Sequence, residues 1–340
     1  MSNRRPTIAD VAAYAGVSVG AVSFALNGRP GVGEETRKRI LDTARELGWQ
    51  PSHGARSLST SRSFALGLVL ARAPESIGSD PFFPAFIGGV EAVLAPRGQS
   101  LVLQVVPDAE AEIAGYRRLG GESRVDGVFL TDLRCSDPRL SLLTEIGLPA
   151  VTLNRPDIES GFPAICLDDR PGIATAVGHL VGLGHTRIAH VAGPTELLHG
   201  RGRHEAWTAA LDEAGLAPGP VVESDFTAAG GAAATRELLG LAERPTAIVY
   251  ANDLMAVAGM AVAHERGYVV PDDLSITGFD DMELSAHVHP ALTTVRTDPF
   301  GWGRAAARVL LDLVEGSDPG DEDVTPGTLV IRRSTGSAPG

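Results

Sequence analysis

Residues 7 to 27, TIADVAAYAGVSVGAVSFALN, constrain the fold more than any other stretch, because apolar positions recur at helical spacing on both sides of a glycine. Thr7 is placed to cap a first helix, with Asp10 three residues on completing a capping box, and Ile8, Val11, Ala12 and Ala15 form one apolar face. Gly16 permits a tight turn. Ser18 can cap a second helix whose Val22, Ala25 and Leu26 face inward, so Val19, Gly20, Ser23 and Phe24 point outward. Two short helices joined in this way make the pattern of a DNA-reading helix-turn-helix. Amphipathic helix pairs with no such role share it, so the flanking sequence must decide.

A third helical pattern, residues 34 to 47, carries Ile40, Leu41, Ala44 and Leu47 on one side and Arg37, Lys38 and Arg39 near its middle, where they suit phosphates. Through Arg62 the chain holds nine Lys/Arg and five Asp/Glu, a formal +4, so the remainder carries −17 of the total −13. A cationic head on an anionic body suits a head that meets nucleic acid and a body that does not. Between them, residues 51 to 62 (PSHGARSLSTSR) form a linker with helix-compatible spacing at Ala55, Arg56 and Leu58. Gly54 costs about 1 kcal/mol against alanine there, so ordering is expected to depend on a partner. Leu58 has two readings: packing against the body, or a wedge entering a DNA minor groove.

From Phe64 onward, apolar runs alternate with helical patterns. Strands are expected at 64 to 71, 100 to 106, 127 to 131 and 149 to 154, with helices near 84 to 96, 110 to 120 and 138 to 146. A second series has strands at 164 to 169, 187 to 193, 220 to 226, 246 to 253 and 274 to 281, with helices near 170 to 183, 201 to 215, 229 to 240 and 253 to 266. Two rounds of alternating β and α predict an α/β body of two doubly wound parallel sheets, with a binding cleft where the carboxyl ends of the strands face each other. The 340 residues leave ample chain for such a body. Cys135 and Cys166 read as reduced thiols. With no apolar segment behind the N-terminal arginines and no run of about 18 apolar residues, a cytoplasmic protein is expected.

The head, the PSHGARSL linker, the ANDLMA segment and the SITGFDD segment, in this order and at these separations, resemble the lactose-repressor (LacI/GalR) family of bacterial transcription regulators, from Thr7 to about Arg333. The resemblance implies a three-helix DNA-binding head at 1–50, a hinge helix at 51–63 that orders on DNA, and an effector-binding and dimerisation body at 64–334. That body is like a periplasmic binding protein, with an N-lobe at about 64–165 and 296–323, a C-lobe at about 166–295 and 324–334, and a disordered tail at 335–340. It further implies a homodimer on a near-palindromic operator of double-stranded DNA and a small effector, such as a sugar, that switches DNA affinity. The alternative is an activator or co-repressed regulator of nucleobase-like metabolism. A heptad after the last strand is missing, so a dimer rather than a coiled-coil tetramer is expected.

Carried over by position, the resemblance assigns DNA contacts to Thr7, Ser18, Val19, Gly20, Ser23, Phe24, Asn27, Ala55, Arg56 and Leu58. Ser18 and Asn27 serve equally well as helix caps. Val19 and Phe24 can touch a thymine methyl but make no bidentate hydrogen bond to a base edge. For the effector the resemblance selects Phe82, Phe83, Asn154, Arg203, Phe226, Asn252 and Asp280. A guanidinium fork, a carboxylate, an amide and an aromatic platform are what vicinal hydroxyls and an apolar sugar face require. Asn252 and Asp280 fit equally as helix caps at strand ends, Phe82 and Phe83 as core, and Arg201 and Arg203 as a solvated face. Trp207, at helical spacing from Leu211, reads as core.

Neither a G-x-G-x-x-G after the first strand nor a Walker loop is present, which leaves nucleotide-dependent enzymes without their phosphate cradle. His185, His190, His199 and His204 cluster in sequence but lack a ligating carboxylate or thiol, and read as surface and loop histidines. No metal or cofactor is expected. A periplasmic binding protein, a doubly wound enzyme and an architectural DNA-bending protein complete the competing classes.

Overall fold

The computed structural model describes residues 6–26, 30–49, 60, 62–72, 78 and 80–339, and divides the chain into Met1–Phe64 and Ala65–Gly340. In the head, α1 (Ile8–Ala15) and α2 (Val19–Leu26) turn by 102° across Gly16, whose φ of +66° is the left-handed conformation that glycine adopts without strain. The Thr7–Asp10 capping box is present: the Asp10 N–H donates to Thr7 Oγ1 and the Thr7 N–H donates to Asp10 Oδ2. Ser18 Oγ accepts from Ala21 N at 3.2 Å. Against this pair packs α3 (Glu34–Glu46), its Ile40 and Ala44 closing a small core with Val11, Ala12, Ala15, Val22 and Ala25.

The body holds two six-stranded sheets. The first has the order β11-β5-β4-β3-β1-β2, from β1 (Ala65–Ala71), β2 (Ser100–Val106), β3 (Gly127–Leu130), β4 (Ala150–Leu153), β5 (Ala164–Cys166) and β11 (Glu322–Asp323), all parallel. The second has the order β12-β10-β9-β8-β6-β7, from β6 (Ile188–Ala192), β7 (Val221–Glu223), β8 (Ala247–Tyr250), β9 (Ser275–Asp280), β10 (Thr293–Arg296) and an antiparallel β12 (Thr328–Val330). The central strands β1, β3, β4, β6 and β8 are buried along almost their whole length, as parallel strands covered on both faces must be.

Around the first sheet lie α4 (Phe82–Leu94), α5 (Ala109–Gly121), α6 (Pro138–Glu145) and α11 (Pro299–Val314); around the second lie α7 (Arg170–Gly182), α8 (Leu198–Glu213), α9 (Ala228–Leu238) and α10 (Asp253–Glu265). Where α4 and α11 cross, glycines let the backbones touch. A Cβ on Gly89 would collide with the Phe300 carbonyl, and one on Gly303 with the Phe86 carbonyl.

Three corrections to the sequence reading follow from this topology. The strand at 164 to 169 belongs to the first sheet, not the second series, because Ala164 pairs with Thr152 of β4 and the chain crosses over only after Cys166. The tail after residue 334 is tied down through residue 338: Thr335 Oγ1 meets His179 Nε2 at 2.9 Å, the Gly336 N–H donates to Ser275 Oγ at 3.0 Å, and the Ala338 N–H donates to the Leu183 carbonyl at 2.9 Å. Polar composition suggested disorder, yet these groups fill hydrogen-bonding positions beside β9 and α7. Finally, His185 and His190 are buried and His199 and His204 half-buried, so none of the four is a surface residue.

Candidate functional site

The strand order places a topological switch point between β1 and β3 in the first sheet and between β6 and β8 in the second. At such points the chain leaves in opposite directions and opens a crevice beyond the carboxyl ends. A cavity of about 80 Å³ lies at both. From the first lobe it is lined by Arg72 after β1, Thr131 and Asp132 after β3, Asn154 after β4 and Asp169 after β5, with Asp80 and Phe82 at the start of α4. The second lobe contributes His199 and Arg203 of α8, Phe226 after β7, Asn252 after β8 and Asp280 at the end of β9.

Two guanidiniums organise the acids. Arg72 forks onto Asp132, Nε to Oδ2 and Nη2 to Oδ1 both at 2.9 Å, and reaches Asp80 through Nη1 at 3.0 Å. Burial would raise the Asp132 pKa, but the Arg72 charge and hydrogen bonds outweigh it and hold that carboxyl at about 2. At Asp80 burial wins over Arg72 and the pKa rises. Arg203 donates from Nε to Asp169 Oδ2 and from Nη1 to the Ala251 carbonyl, each at 2.7 Å, with its plane 3.8 Å from the centre of the Phe279 ring. Burial raises the Asp169 pKa against the pull of Arg203, and its Oδ1 has no partner among the described residues.

Asp280 has φ +117°, a backbone that L residues rarely adopt. Burial pushes its carboxyl well above the ordinary range. Arg203 offsets this only in part, and Asp253, Asp80 and Asp169 add repulsion. Opposite these charges stand aromatic faces. Phe82 stacks on Phe86 at 5.7 Å and meets Trp302 edge to face, while Phe226 stacks on His199 at 5.2 Å. Gly193, at the end of β6, is required for that stack, because a Cβ there would enter the Phe226 ring.

Of the seven residues expected at the cleft, six line it. Phe83 does not: it is 1% exposed in the core, beneath the Arg72 guanidinium at 4.9 Å, because its turn of α4 faces the sheet. Asn252 lines the cavity but is already spent, its Oδ1 capping α10 at Met255 N and its Nδ2 donating to the Phe226 carbonyl, both at 3.0 Å. Asn154 Oδ1 accepts from Leu167 N at 2.7 Å, and its φ of +74° turns the chain out of β4. Trp207 is core, and Arg201 lies outside the lining. Sequence reasoning missed Arg72, Asp80, Thr131, Asp132, Asp169 and His199. For Arg72, Thr131, Asp132 and Asp169 the only signal was a polar residue shortly after an apolar strand, which many loops share, and Asp80 and His199 sit at helix starts with no signal of their own.

Beside the cavity the lobes are joined backbone to backbone. The Cys135 N–H donates to the Glu196 carbonyl at 2.9 Å, the Leu198 N–H to the Leu133 carbonyl at 2.8 Å, and Arg134 and Leu197 form an antiparallel bridge.

Behind the cleft, His190 in β6 donates from Nδ1 to the Val249 carbonyl at 2.8 Å and stacks on Trp207 at 5.4 Å. Burial lowers its pKa to about 3, and burial with the nearby Arg203 lowers that of His199 to about 4. Both stay neutral while their unfolded counterparts titrate near 6.5, so the stability they contribute is complete above pH 6.5 and is lost as pH falls toward 3 to 4. We expect the His190 ring resonances to stay fixed between pH 7.5 and 5. A midpoint near 6 would contradict the burial.

On the head, the outward face of α2 presents Val19, 46% exposed, Gly20, and Phe24, 42% exposed, whose ring rests on Gly31. Ser23 is half-buried, and Thr7 spends its side chain in the capping box. Tyr14 of α1 is 76% exposed, a position sequence reasoning passed over. Arg39, expected on phosphates, donates from Nε to the Ala15 carbonyl at 3.2 Å and so closes α1. Asn27, Ala55, Arg56 and Leu58 lie outside the described residues.

Among the described residues no single helix is long and apolar enough to cross a membrane. A family model described as bacterial regulatory proteins, lacI family, matches residues 7–52, and one described as a periplasmic binding protein-like domain matches residues 177–335. The chain is 35% identical over 335 residues to the HTH-type transcriptional regulator CelR of Thermobifida fusca, covering 96% of each chain. Among solved structures it is similar to a transcriptional regulator CelR–cellobiose complex, with 33% identity, 97% and 100% coverage and a TM-score of 0.74. It is also similar to the lac repressor dimer bound to operator and the anti-inducer ONPF, with 29% identity, 98% and 100% coverage and a TM-score of 0.85.

Proposed function

This chain belongs to the lacI family of bacterial transcriptional regulators, and from that premise we propose that it is a cytoplasmic repressor whose hold on operator DNA is switched by a neutral sugar bound between its two lobes. One observation carries the ligand class. Four carboxylates, Asp80, Asp132, Asp169 and Asp280, face two guanidiniums in one cavity with aromatic walls. Such a cage has more acceptors than donors and both of its guanidiniums are already paired with carboxyls, so it offers phosphates and carboxylates no free cation and seeks a ligand rich in O–H donors. A nucleobase is less well served, since the Asn252 amide that could read a base edge is committed to the α10 cap and the Phe226 carbonyl. The CelR–cellobiose complex supports the sugar reading.

In this reading Val19 and Phe24 of α2 meet base edges through apolar contact, the hinge with Ala55, Arg56 and Leu58 enters the minor groove, and two copies read a near-palindromic site. The effector acts by binding one lobe arrangement better than another. The test is a melting-temperature screen of sugars and nucleobases, since a ligand specific for the folded state raises Tm by mass action, followed by operator binding with and without the hit. A hit among neutral sugars that changes operator affinity is expected. Stabilisation only by nucleobases or by anionic metabolites would overturn the sugar reading.

Thiol chemistry reports the lobe motion. Burial raises the Cys166 thiol to about 11, whereas half-buried Cys135 sits in the interlobe bridge with Sγ 3.7 Å from the Thr195 carbonyl. At pH 8 a disulfide reagent is expected to modify Cys135 first, and a closing effector to slow that reaction several-fold. An unchanged rate would separate the bridge from the ligand-linked motion.

A further inference from the structure

Asp253 opens α10, is fully buried and does not line the cavity. Its carboxylate gathers donors from two other segments. The Met282 N–H and Ser285 Oγ donate to Oδ2 at 2.9 and 2.5 Å, and Thr294 Oγ1 donates to Oδ1 at 2.5 Å. Met282 and Ser285 lie in the turn after β9, Ser285 within a short 3₁₀ helix (Glu283–Ala286), and Thr294 lies in β10. On β9 itself Gly278 leaves the room, because a Cβ there would collide with Oδ1. One carboxylate thus ties the start of α10 to the strand that carries Asp280, to the turn that follows it and to the next strand.

That turn needs holding. Asp280 and Asp281 have φ of +117° and +55°, conformations that residues other than glycine keep only where their surroundings fix them. Asp281 is fixed by Arg296 Nε and Arg332 Nη2, each at 2.6 Å, and its N–H donates to Thr294 Oγ1 at 3.4 Å. Asp280 has no side-chain hydrogen bond among the described residues, so its aim into the cleft is set by the backbone of this turn. Asp253 has three donors and, among the described residues, no ion pair. A buried acid without a counter-charge is costly unless every donor stays in place, so the hold is firm while the group is ionised. A proton on it takes one acceptor position. The two hydroxyls can turn and accept instead, but the Met282 N–H cannot.

We propose that Asp253 is a positioning residue for effector binding, which fixes the turn after β9 so that Asp280 faces the cleft, and does so only while ionised. The proposal rests on the effector lying at Asp280, as in the reading above, and adds the group that holds Asp280 there. Burial pushes the Asp253 carboxyl up to about 6 against the pull of its three hydrogen bonds, and Asp281 adds repulsion. The charged groups around it are Asp280 of β9, within reach of the Arg203 charge, Asp281 of the turn, Arg296 of β10 and Arg332 after β12, and both of the last two are taken by Asp281. The hold is therefore complete at pH 7.5 and lost as pH falls through about 6.

The test is hydrogen exchange of the full chain, reading peptides that cover 280–287 against peptides of α11 at the same pH. In the wild type the ratio is expected to rise severalfold from pH 7.5 to 5. Thr294→Val removes one donor to the ionised carboxylate and should move the midpoint to higher pH, while Thr294→Ser keeps the donor and should restore it. Asp253→Asn should give a high ratio at every pH. A role in packing alone would change the level of exchange but not its midpoint, and a midpoint belonging to Asp280, which does not touch Thr294, would stay where it is. An unmoved midpoint in Thr294→Val overturns the proposal, and the Thr294 pair decides the matter if Asp253→Asn does not fold. Calorimetric titration with cellobiose, maltose and hypoxanthine adds the binding arm, where Asp253→Asn is expected to lose roughly tenfold in affinity for whichever probe the wild type takes. A sugar bound equally by both proteins overturns the positioning role and leaves the sugar reading intact. Binding of hypoxanthine alone overturns the sugar reading, and the exchange midpoint then decides on Asp253.

Discussion

Arg203→Ala is expected to lower the melting temperature of the body by roughly 10 °C and to abolish the effector response. The guanidinium is 11% exposed and its partner Asp169 8% exposed, so truncation leaves a carboxylate without its counter-charge in a place water barely reaches. Breaking a buried pair from one side typically costs about 3–5 kcal/mol, and in domains of this size each kcal/mol corresponds to roughly 2–4 °C. The Ala251 carbonyl loses its donor as well. Arg203→Ala combined with Asp169→Ala should recover part of the lost stability, because the stranded charge is gone, and none of the response. Calorimetric melting of the two variants checks this. A single variant as stable as wild type would show that the pair adds nothing to the fold.

Asp280→Gly is expected to act in the opposite direction on stability and the same direction on function. Its side chain has no hydrogen bond to the described residues, burial and three neighbouring carboxylates disfavour its charge, and its φ of +117° suits glycine. Relief of backbone strain alone is worth about 1–3 kcal/mol, less the extra chain entropy glycine loses on folding, about 0.5–1 kcal/mol. A rise in Tm of a few degrees is therefore expected. Effector binding should weaken about tenfold, as one or two hydrogen bonds at about 0.5–1.5 kcal/mol each are lost, while operator binding without effector persists. The elevated pKa adds a sign: effector affinity in the wild type should fall as pH drops, because protonation removes acceptor capacity at Asp280. A destabilised Asp280→Gly with a normal effector response would remove this residue from the site.

The contrast between these two residues shows how far a sequence can be read. Both were assigned to the cleft by the family resemblance, Asp280 at a strand end and Arg203 where a solvated face was the other reading. Nothing in the linear pattern separated Arg203, which ties β8 to the loop after β5, from Asp280, which ties to nothing. Phe82 and Phe83 were equally indistinguishable: adjacent on one helix turn, one faces the cavity and the other the core. Asn252 was legible as a cap and is one, because an amide before an apolar helix satisfies backbone N–H groups wherever it occurs.

What the sequence determined by itself was everything that depends on local spacing: the Thr7 capping box, the turn at Gly16, the helices of the head, and the alternation of strands and helices that produces two doubly wound sheets. Their bounds follow from periodicity and from caps within a few residues of each end, and those forces are local. Tertiary structure alone decided the rest. It put β5 in the first sheet, hid His190 and Phe83, anchored the chain after Ser334, and gathered Arg72, Asp80, Asp132 and Asp169 into one acidic cage. Several of those outcomes turn on groups that meet far apart in the chain, as Arg72 meets Asp132. Once water is excluded, burial and charge pairing fix their chemistry, and neither quantity exists until the lobes have folded.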